Sequence, residues 1–146
     1  NVIGIAGFGA AASYALETLP MFLCRAATLR RTLEAGIAPF SSFGVQINHP
    51  ETDQAAAHIV SLTAPGIRSE TLLHSLSEAN VFVSSGSACS SHTGHASYVL
   101  HSFGLSDADA DCTIRISFGI QNTEEDIDAF CTALKESLKK LVRIKS

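Results

Sequence analysis

The apolar residues of this chain recur at helical spacing in some segments and at strand spacing in others. Between Ile5 and Leu33 they recur every three or four residues, which predicts a long helix with one apolar face. Pro20 lies inside this stretch and is expected to kink or split the helix. Short strand-like and helical segments alternate after it, so the chain is predicted to contain both kinds of element.

The order of these elements restricts the fold. Strands are predicted at residues 44–48, 58–63, 81–83 and 113–118, and helices at 69–80, 97–103 and after Thr123. Ser69 is the predicted N-cap of the second helix, and Thr123 with Asp126 forms a capping box before the last. This order predicts an α/β two-layer sandwich, in which a small mixed sheet of about four strands is covered by helices.

Length and composition restrict the class of protein. The 146 residues, of which 46% are hydrophobic and 16% charged, suit one compact domain over residues 1–146. The net charge of −4, without a basic stripe that includes aromatic residues, argues against direct binding of nucleic acid. The four cysteines are scattered and form no CxxC pair, which favours reduced thiols and a cytoplasmic protein.

Residues 2–16 form an apolar stretch at the start of the chain. The stretch is short for a membrane span, no Lys or Arg precedes it, and Glu17 and Arg25 follow it. We therefore interpret it as a buried helix and expect no membrane association. Because the first residue is Asn1 and not methionine, we expect the sequence to be part of a longer protein.

Residues 83–91, with the sequence VSSGSACSS, are the least ordinary segment of the chain. Gly86 and the serines supply flexible backbone and small polar groups around Cys89, which suits an accessible, reactive thiol. Cys89 could instead fill a turn without any reactivity, since most free cysteines are buried and inert. The spacing of Cys89, His92 and His95 also resembles a zinc-binding loop, but such a site needs a ligand from a second element, and we predict no metal.

Arg115 stands between Ile114 and Ile116 in a predicted strand. If the isoleucines face the core, Arg115 faces the other side of the sheet, where a guanidinium group can bind a carboxylate through two hydrogen bonds. An arginine on an edge strand that only contacts solvent would have the same pattern. From spacing alone, both interpretations stay open.

Four segments together resemble the C-terminal small domain of cysteine desulfurases, pyridoxal-phosphate enzymes of fold type I in the class-V aminotransferase group. They are PGIRSETLLHSL at 65–76, VSSGSACSS at 83–91, SYVLHSFGL at 97–105 and IRISFGIQNTEEDID at 114–128. The resemblance covers nearly the whole chain, with the segments in the family's order. It implies that residues 1–146 are the small domain and that the large domain, which binds the cofactor, is absent.

The resemblance also implies a reaction and two site residues. Cys89 matches the cysteine that takes sulfur from L-cysteine, leaving L-alanine and an enzyme persulfide. Arg115 matches the arginine that binds the carboxylate of the substrate. The complete enzymes are commonly homodimers, and they deliver sulfur to an acceptor protein, such as a scaffold for iron-sulfur cluster assembly or a thiolation protein.

The chain departs from this family in its lysines. All four of them, Lys135, Lys139, Lys140 and Lys145, lie in or just after the last helix, and none matches the Schiff-base lysine of the family. We therefore expect pyridoxal 5'-phosphate to be bound by the missing large domain, and this chain alone to be inactive. The alternatives are a stand-alone sulfur carrier or binding module that uses Cys89 without a cofactor, and a relative of the selenocysteine lyases.

Overall fold

A computed structural model describes residues 1–48, 56–85 and 98–141. Its helices are α1 (Val2–Ile37), α2 (Ser69–Glu78), α3 (Tyr98–Ser102), α4 (Asp107–Asp111) and α5 (Glu124–Lys140), and a 3-10 helix, Ala38–Phe43, follows α1. Its strands are β1 (Gln46–Asn48), β2 (Ile59–Thr63), β3 (Ser84–Ser85) and β4 (Thr113–Ser117). The predicted α/β fold with four strands is confirmed.

The four strands form one sheet in the order β1-β2-β4-β3. Each described pair of neighbouring strands is antiparallel, whereas the sequence led us to expect a mixed sheet. Helix α2 connects β2 and β3, which do run parallel to each other. However, β4 lies between β2 and β3 and pairs antiparallel with both, so these parallel strands are not neighbours.

Helices α1, α2 and α5 cover one face of the sheet. Val60 and Leu62 of β2 and Ile114 and Ile116 of β4 are buried on this face. They belong to a single apolar cluster with residues of α2, α5 and the C-terminal part of α1. The structure is therefore a two-layer sandwich, as predicted.

Helix α1 is continuous through Pro20, and only its C-terminal part is buried. Ala26, Leu29, Leu33 and Ile37 contact the core, while the first half of the helix is exposed. The prediction that residues 2–16 form a buried helix is therefore wrong for this chain. The reason is length, because a helix of 36 residues extends about 54 Å, whereas a strand of five residues extends about 17 Å.

The exposed half of α1 is apolar around its circumference; Ile3, for example, is 87% exposed and Phe8 is 78% exposed. The stretch Val2–Phe43 is long and apolar enough to cross a membrane, with a mean hydropathy of 1.4 over its best window. This indication is weak, because core helices of soluble proteins and signal sequences have the same property. The absence of membrane association stays a prediction.

The ends of the helices show where local signals are reliable. At α5 the predicted capping box is present, since the backbone N–H of Thr123 donates to Asp126 Oδ2 over 3.0 Å. At α2, by contrast, Arg68 occupies the N-cap position and Ser69 is the first helical residue. Ser69 was predicted as the cap because serine is common there, but no side-chain hydrogen bond caps this helix.

The third strand begins later than predicted. Helix α2 is followed by Asn80 in the left-handed conformation, with φ of 58°, and the N–H of Val81 donates back to the carbonyl of Leu76. Residues 81–83 therefore connect the end of α2 to the strand, and pairing with β4 starts only at Ser84. The short helix α4 was not predicted, although Ser106 is its N-cap and accepts a hydrogen bond from the N–H of Asp109.

Candidate substrate-binding face

The side of the sheet that faces away from the apolar cluster carries polar residues. One residue from each strand lies in a single row across this face: Asn48 of β1, Ser61 of β2, Arg115 of β4 and Ser84 of β3. Residues paired directly across antiparallel strands point to the same side, so their side chains share one surface. The sheet thus places the only charge of this row between two hydroxyl groups.

Arg115 is exposed on this face, while Ile114 and Ile116 are buried on the other. The alternation predicted from the sequence is therefore present. Within the described residues, Arg115 forms no ion pair and no side-chain hydrogen bond. Its Cα partners are Ser61 and Ser84, which are half-buried and neutral. A guanidinium group in these surroundings can bind a carboxylate by donating two parallel N–H···O hydrogen bonds.

A second row beside the first is closed by hydrogen bonds. Thr63 and Thr113 are Cα partners, they are 0% and 1% exposed, and their hydroxyl oxygens lie 2.7 Å apart. The hydroxyl of Thr113 donates to the carbonyl of Asp109 in α4, so this helix covers that end of the face. The side-chain amide of Asn48 contacts both Ser61 and Thr63, which joins the two rows. The open part of the face is therefore the part around Arg115.

Cys89 lies outside the described residues, as do His92 and His95. The sequence places Cys89 four residues after Ser85, the last residue of β3. Since β3 pairs with β4, the segment with Cys89 starts from the strand beside Arg115. The described residues contain no group of metal-binding side chains, and the zinc alternative depends on residues beyond them.

The three lysines within the described residues do not fit a site for a covalently bound aldehyde cofactor on this face. They are Lys135, Lys139 and Lys140, and they are exposed on α5, which packs on the other side of the sheet. The Nζ atom of Lys139 lies 3.0 Å from a carboxylate oxygen of Glu136. Within the described part of the chain, the surface around Arg115 is therefore open, but it has no lysine amine of the kind that pyridoxal phosphate requires.

Arg115 could be identified from the sequence, but its polar neighbours could not. Ser61 and Thr63 alternate with Val60 and Leu62 in β2, which is the same period-two signal that was recognised in β4. That pattern shows which residues of β2 face away from the core. It does not show that Ser61 lies opposite Arg115, because the register depends on pairing between distant segments.

Comparison with known proteins defines the class of this chain. The family model described as "Aminotransferase class-V" matches residues 1–130. The chain belongs to the class-V aminotransferase family.

Its curated relatives are more specific. The chain is 36% identical over 141 residues to "Cysteine desulfurase IscS" of Clostridium botulinum strain Hall, covering 96% of this chain and 35% of the relative. It is 39% identical over 137 residues to "Cysteine desulfurase IscS" of Acinetobacter baumannii strain AYE, covering 94% and 33%. The chain thus spans about a third of the length of the curated relatives it matches.

Solved structures agree with this fold. A NifS-like protein from Rickettsia africae superposes with a TM-score of 0.80 at 27% identity, over 97% of this chain and 35% of that chain. A second "NIFS-LIKE PROTEIN" gives a TM-score of 0.79 at 30% identity, over 97% and 34%. The chain is thus homologous to cysteine desulfurases, and these relatives do not favour the alternatives of a stand-alone sulfur carrier or a selenocysteine lyase relative.

Proposed function

We propose that the protein to which this chain belongs is a pyridoxal-phosphate-dependent cysteine desulfurase. In this proposal residues 1–146 are its C-terminal small domain, with Arg115 as the substrate-binding residue and Cys89 as the catalytic residue. The enzyme converts L-cysteine to L-alanine and carries the sulfur as a persulfide on Cys89. The homology to proteins named cysteine desulfurase supports this function.

The observation that carries the proposal is the pairing of Ser84 with Arg115. Ser84 belongs to the strand that leads toward Cys89, which follows five residues later in the sequence. Covalent geometry limits five residues to a reach of about 18 Å. One short segment therefore links an open carboxylate-binding group to a candidate nucleophile, which suits a substrate with a carboxylate and a thiol.

The reaction balances without an external oxidant or reductant. The thiolate of Cys89 attacks the sulfur of L-cysteine, a sulfur-sulfur bond forms, and the bond between that sulfur and the β-carbon breaks. The β-carbon takes up one proton and becomes the methyl group of alanine. Arg115 holds the carboxylate during this exchange, so that the sulfur, and no other part of the substrate, is presented to Cys89.

The remaining parts of the proposal concern groups outside this chain. Pyridoxal 5'-phosphate is bound by a large domain that supplies the Schiff-base lysine, because the described lysines do not face Arg115. The exposed half of α1 packs against that domain, since a helix that is apolar on all sides is normally buried. We further propose a cytoplasmic homodimer that transfers sulfur to an acceptor protein, for iron-sulfur cluster assembly or thiolation.

The test uses the complete protein loaded with pyridoxal phosphate. Alanine and persulfide are measured from L-cysteine for the wild type, Cys89→Ala and Arg115→Ala. We expect turnover by the wild type, no persulfide from Cys89→Ala, and a KM for Arg115→Ala raised at least tenfold, because a charge-assisted pair is lost.

Two matched variants control for the loss of a cysteine or an arginine as such. Cys24 and Arg31 are exposed on α1, on the layer opposite the polar face. Cys24→Ala and Arg31→Ala should retain the wild-type KM and persulfide yield. If the complete protein binds the cofactor but never forms persulfide, the desulfurase assignment is wrong, although the family assignment stands.

A further inference from the structure

The contacts of the buried hydroxyl groups of Thr63 and Thr113, near Arg115, determine which group donates in each hydrogen bond. Thr113 Oγ1 lies 2.7 Å from the carbonyl oxygen of Asp109, which can only accept. The single hydroxyl hydrogen of Thr113 is therefore donated to Asp109. Thr113 Oγ1 also lies 2.7 Å from Thr63 Oγ1, so in that contact Thr63 must be the donor.

The hydrogen-bond network extends from Thr63 to Asn48 of β1. Because the hydroxyl hydrogen of Thr63 is given to Thr113, Thr63 must accept from the side-chain Nδ2 of Asn48, which is 2.9 Å away. The longer contact of 3.3 Å between Thr63 Oγ1 and Asn48 Oδ1 cannot be a hydrogen bond at the same time. The second hydrogen of Asn48 Nδ2 is donated to Ser61 Oγ over 3.0 Å.

Ser61 thus ends this chain of hydrogen bonds as an acceptor. Its own hydroxyl hydrogen has no partner among the described residues. Ser61 is half-buried, and it lies directly opposite Arg115 on the open face. The network therefore fixes the oxygen of Ser61 and leaves its hydrogen available to an acceptor that lies beside the guanidinium group.

We propose that Ser61 donates a hydrogen bond to the substrate carboxylate that Arg115 binds, and so contributes to the selection of amino acids over simple amines. This inference rests on the proposed function and assigns a second substrate-binding residue to it. A carboxylate has lone pairs for more than the two N–H groups of one arginine, so a neutral donor beside Arg115 completes its binding without adding charge.

The experiment measures KM and kcat for L-cysteine with the complete protein and pyridoxal phosphate. For Ser61→Ala we expect KM to rise about tenfold, equivalent to about 1.4 kcal/mol, with kcat changed less than twofold. Ser61→Thr keeps the hydroxyl and should restore KM to within about threefold of the wild type. Ser41→Ala removes an exposed hydroxyl from the 3-10 helix and should leave both constants unchanged.

A ligand without the carboxylate separates this role from a structural one. Cysteamine keeps the thiol and the amine of cysteine, and its inhibition constant should be the same for the wild type and Ser61→Ala. An equal loss of cysteamine affinity would overturn the inference, since the defect would then not concern the carboxylate. If Ser61→Ala does not fold, Ser61→Cys, which is close in size and a weak donor, should show the same rise in KM.

The outcomes for Arg115 distinguish this inference from the proposed function. If Arg115→Ala raises KM while Ser61→Ala and Ser61→Cys do not, the inference is wrong and the desulfurase assignment stands. If the wild-type protein forms neither alanine nor persulfide, the proposed function is wrong, and the inference that rests on it is wrong as well.

Discussion

The buried pair Thr63 and Thr113 allows the hydrogen-bond network to be tested by its effect on stability. Replacing Thr113 with valine keeps the shape of the side chain but removes its hydroxyl. The hydroxyl of Thr63, which is fully buried, then loses its acceptor, and the carbonyl of Asp109 loses one of its two donors, keeping the backbone N–H of Cys112. A buried polar group without a partner costs about 1–3 kcal/mol, so we expect Thr113→Val to lower the free energy of unfolding by about 2 kcal/mol.

Replacing Thr63 alone with valine should lower the free energy of unfolding by about 1–2 kcal/mol. The loss is smaller because Thr113 still donates to Asp109 and Asn48 still donates to Ser61. In the double variant the hydrogen bond between the two hydroxyls is lost only once, and two methyl groups meet in its place. The double variant should therefore lower the free energy of unfolding by about 2 kcal/mol, instead of the 3–4 kcal/mol expected from adding the two single effects.

The assay is equilibrium unfolding of the 146-residue chain in urea, followed by circular dichroism. Thermal unfolding provides a second readout, in which 1 kcal/mol corresponds to about 3 °C for a chain of this size. Thr132→Val, at an exposed position of α5, is the control and should change stability by less than about 0.5 kcal/mol. Strictly additive effects of the two buried substitutions would refute the assigned network.

Two other predictions concern helix packing and helix capping. A Cβ atom on Gly36 would lie 2.7 Å from Cys131 Sγ. Gly36→Ala should therefore destabilise the chain in urea unfolding, although alanine favours helix over glycine by about 1 kcal/mol. Adding Cys131→Ala should remove this penalty, and a penalty that persists would contradict the close contact. The side chain of Asn122 and the backbone N–H of Thr123 hold the pKa of Asp126 below its usual value of 3.8. Because the pKa is lowered on folding, this carboxylate stabilises the chain above the unfolded pKa and ceases to do so as the pH falls through the folded pKa. Asp126→Ala should therefore lower the Tm at pH 7, and the difference from the wild type should shrink below pH 3.8; a difference independent of pH would show that the charge has no part in it.

Much of the local structure could be predicted from the sequence. The capping box of α5, the alternation around Arg115 and the approximate positions of most helices and strands depend on neighbours within a few residues. Two predictions failed because a distant contact decides the outcome. The start of β3 depends on how the chain leaves α2 through Asn80, and the burial of α1 depends on how much of the helix the short sheet can cover.

The candidate site divides in the same way. Arg115 was identifiable because it interrupts an apolar strand, and Cys89 because its segment is rich in serine and contains Gly86. Ser61 and Thr63 show the same alternation, but it does not distinguish them, since a serine or threonine in a strand is common. Their importance follows from the register that sets them beside Arg115.

The sequence by itself therefore determined the kinds of element, their order along the chain and the side of β4 on which Arg115 lies. Hydrophobic periodicity and capping act over one or two turns, which is why these features can be read locally. The tertiary structure alone decided that β4 inserts between β2 and β3, which makes the sheet antiparallel and assembles the row of Asn48, Ser61, Arg115 and Ser84. Strand order and register result from pairing between segments far apart in the chain, and the burial of one face selects among the possible pairings.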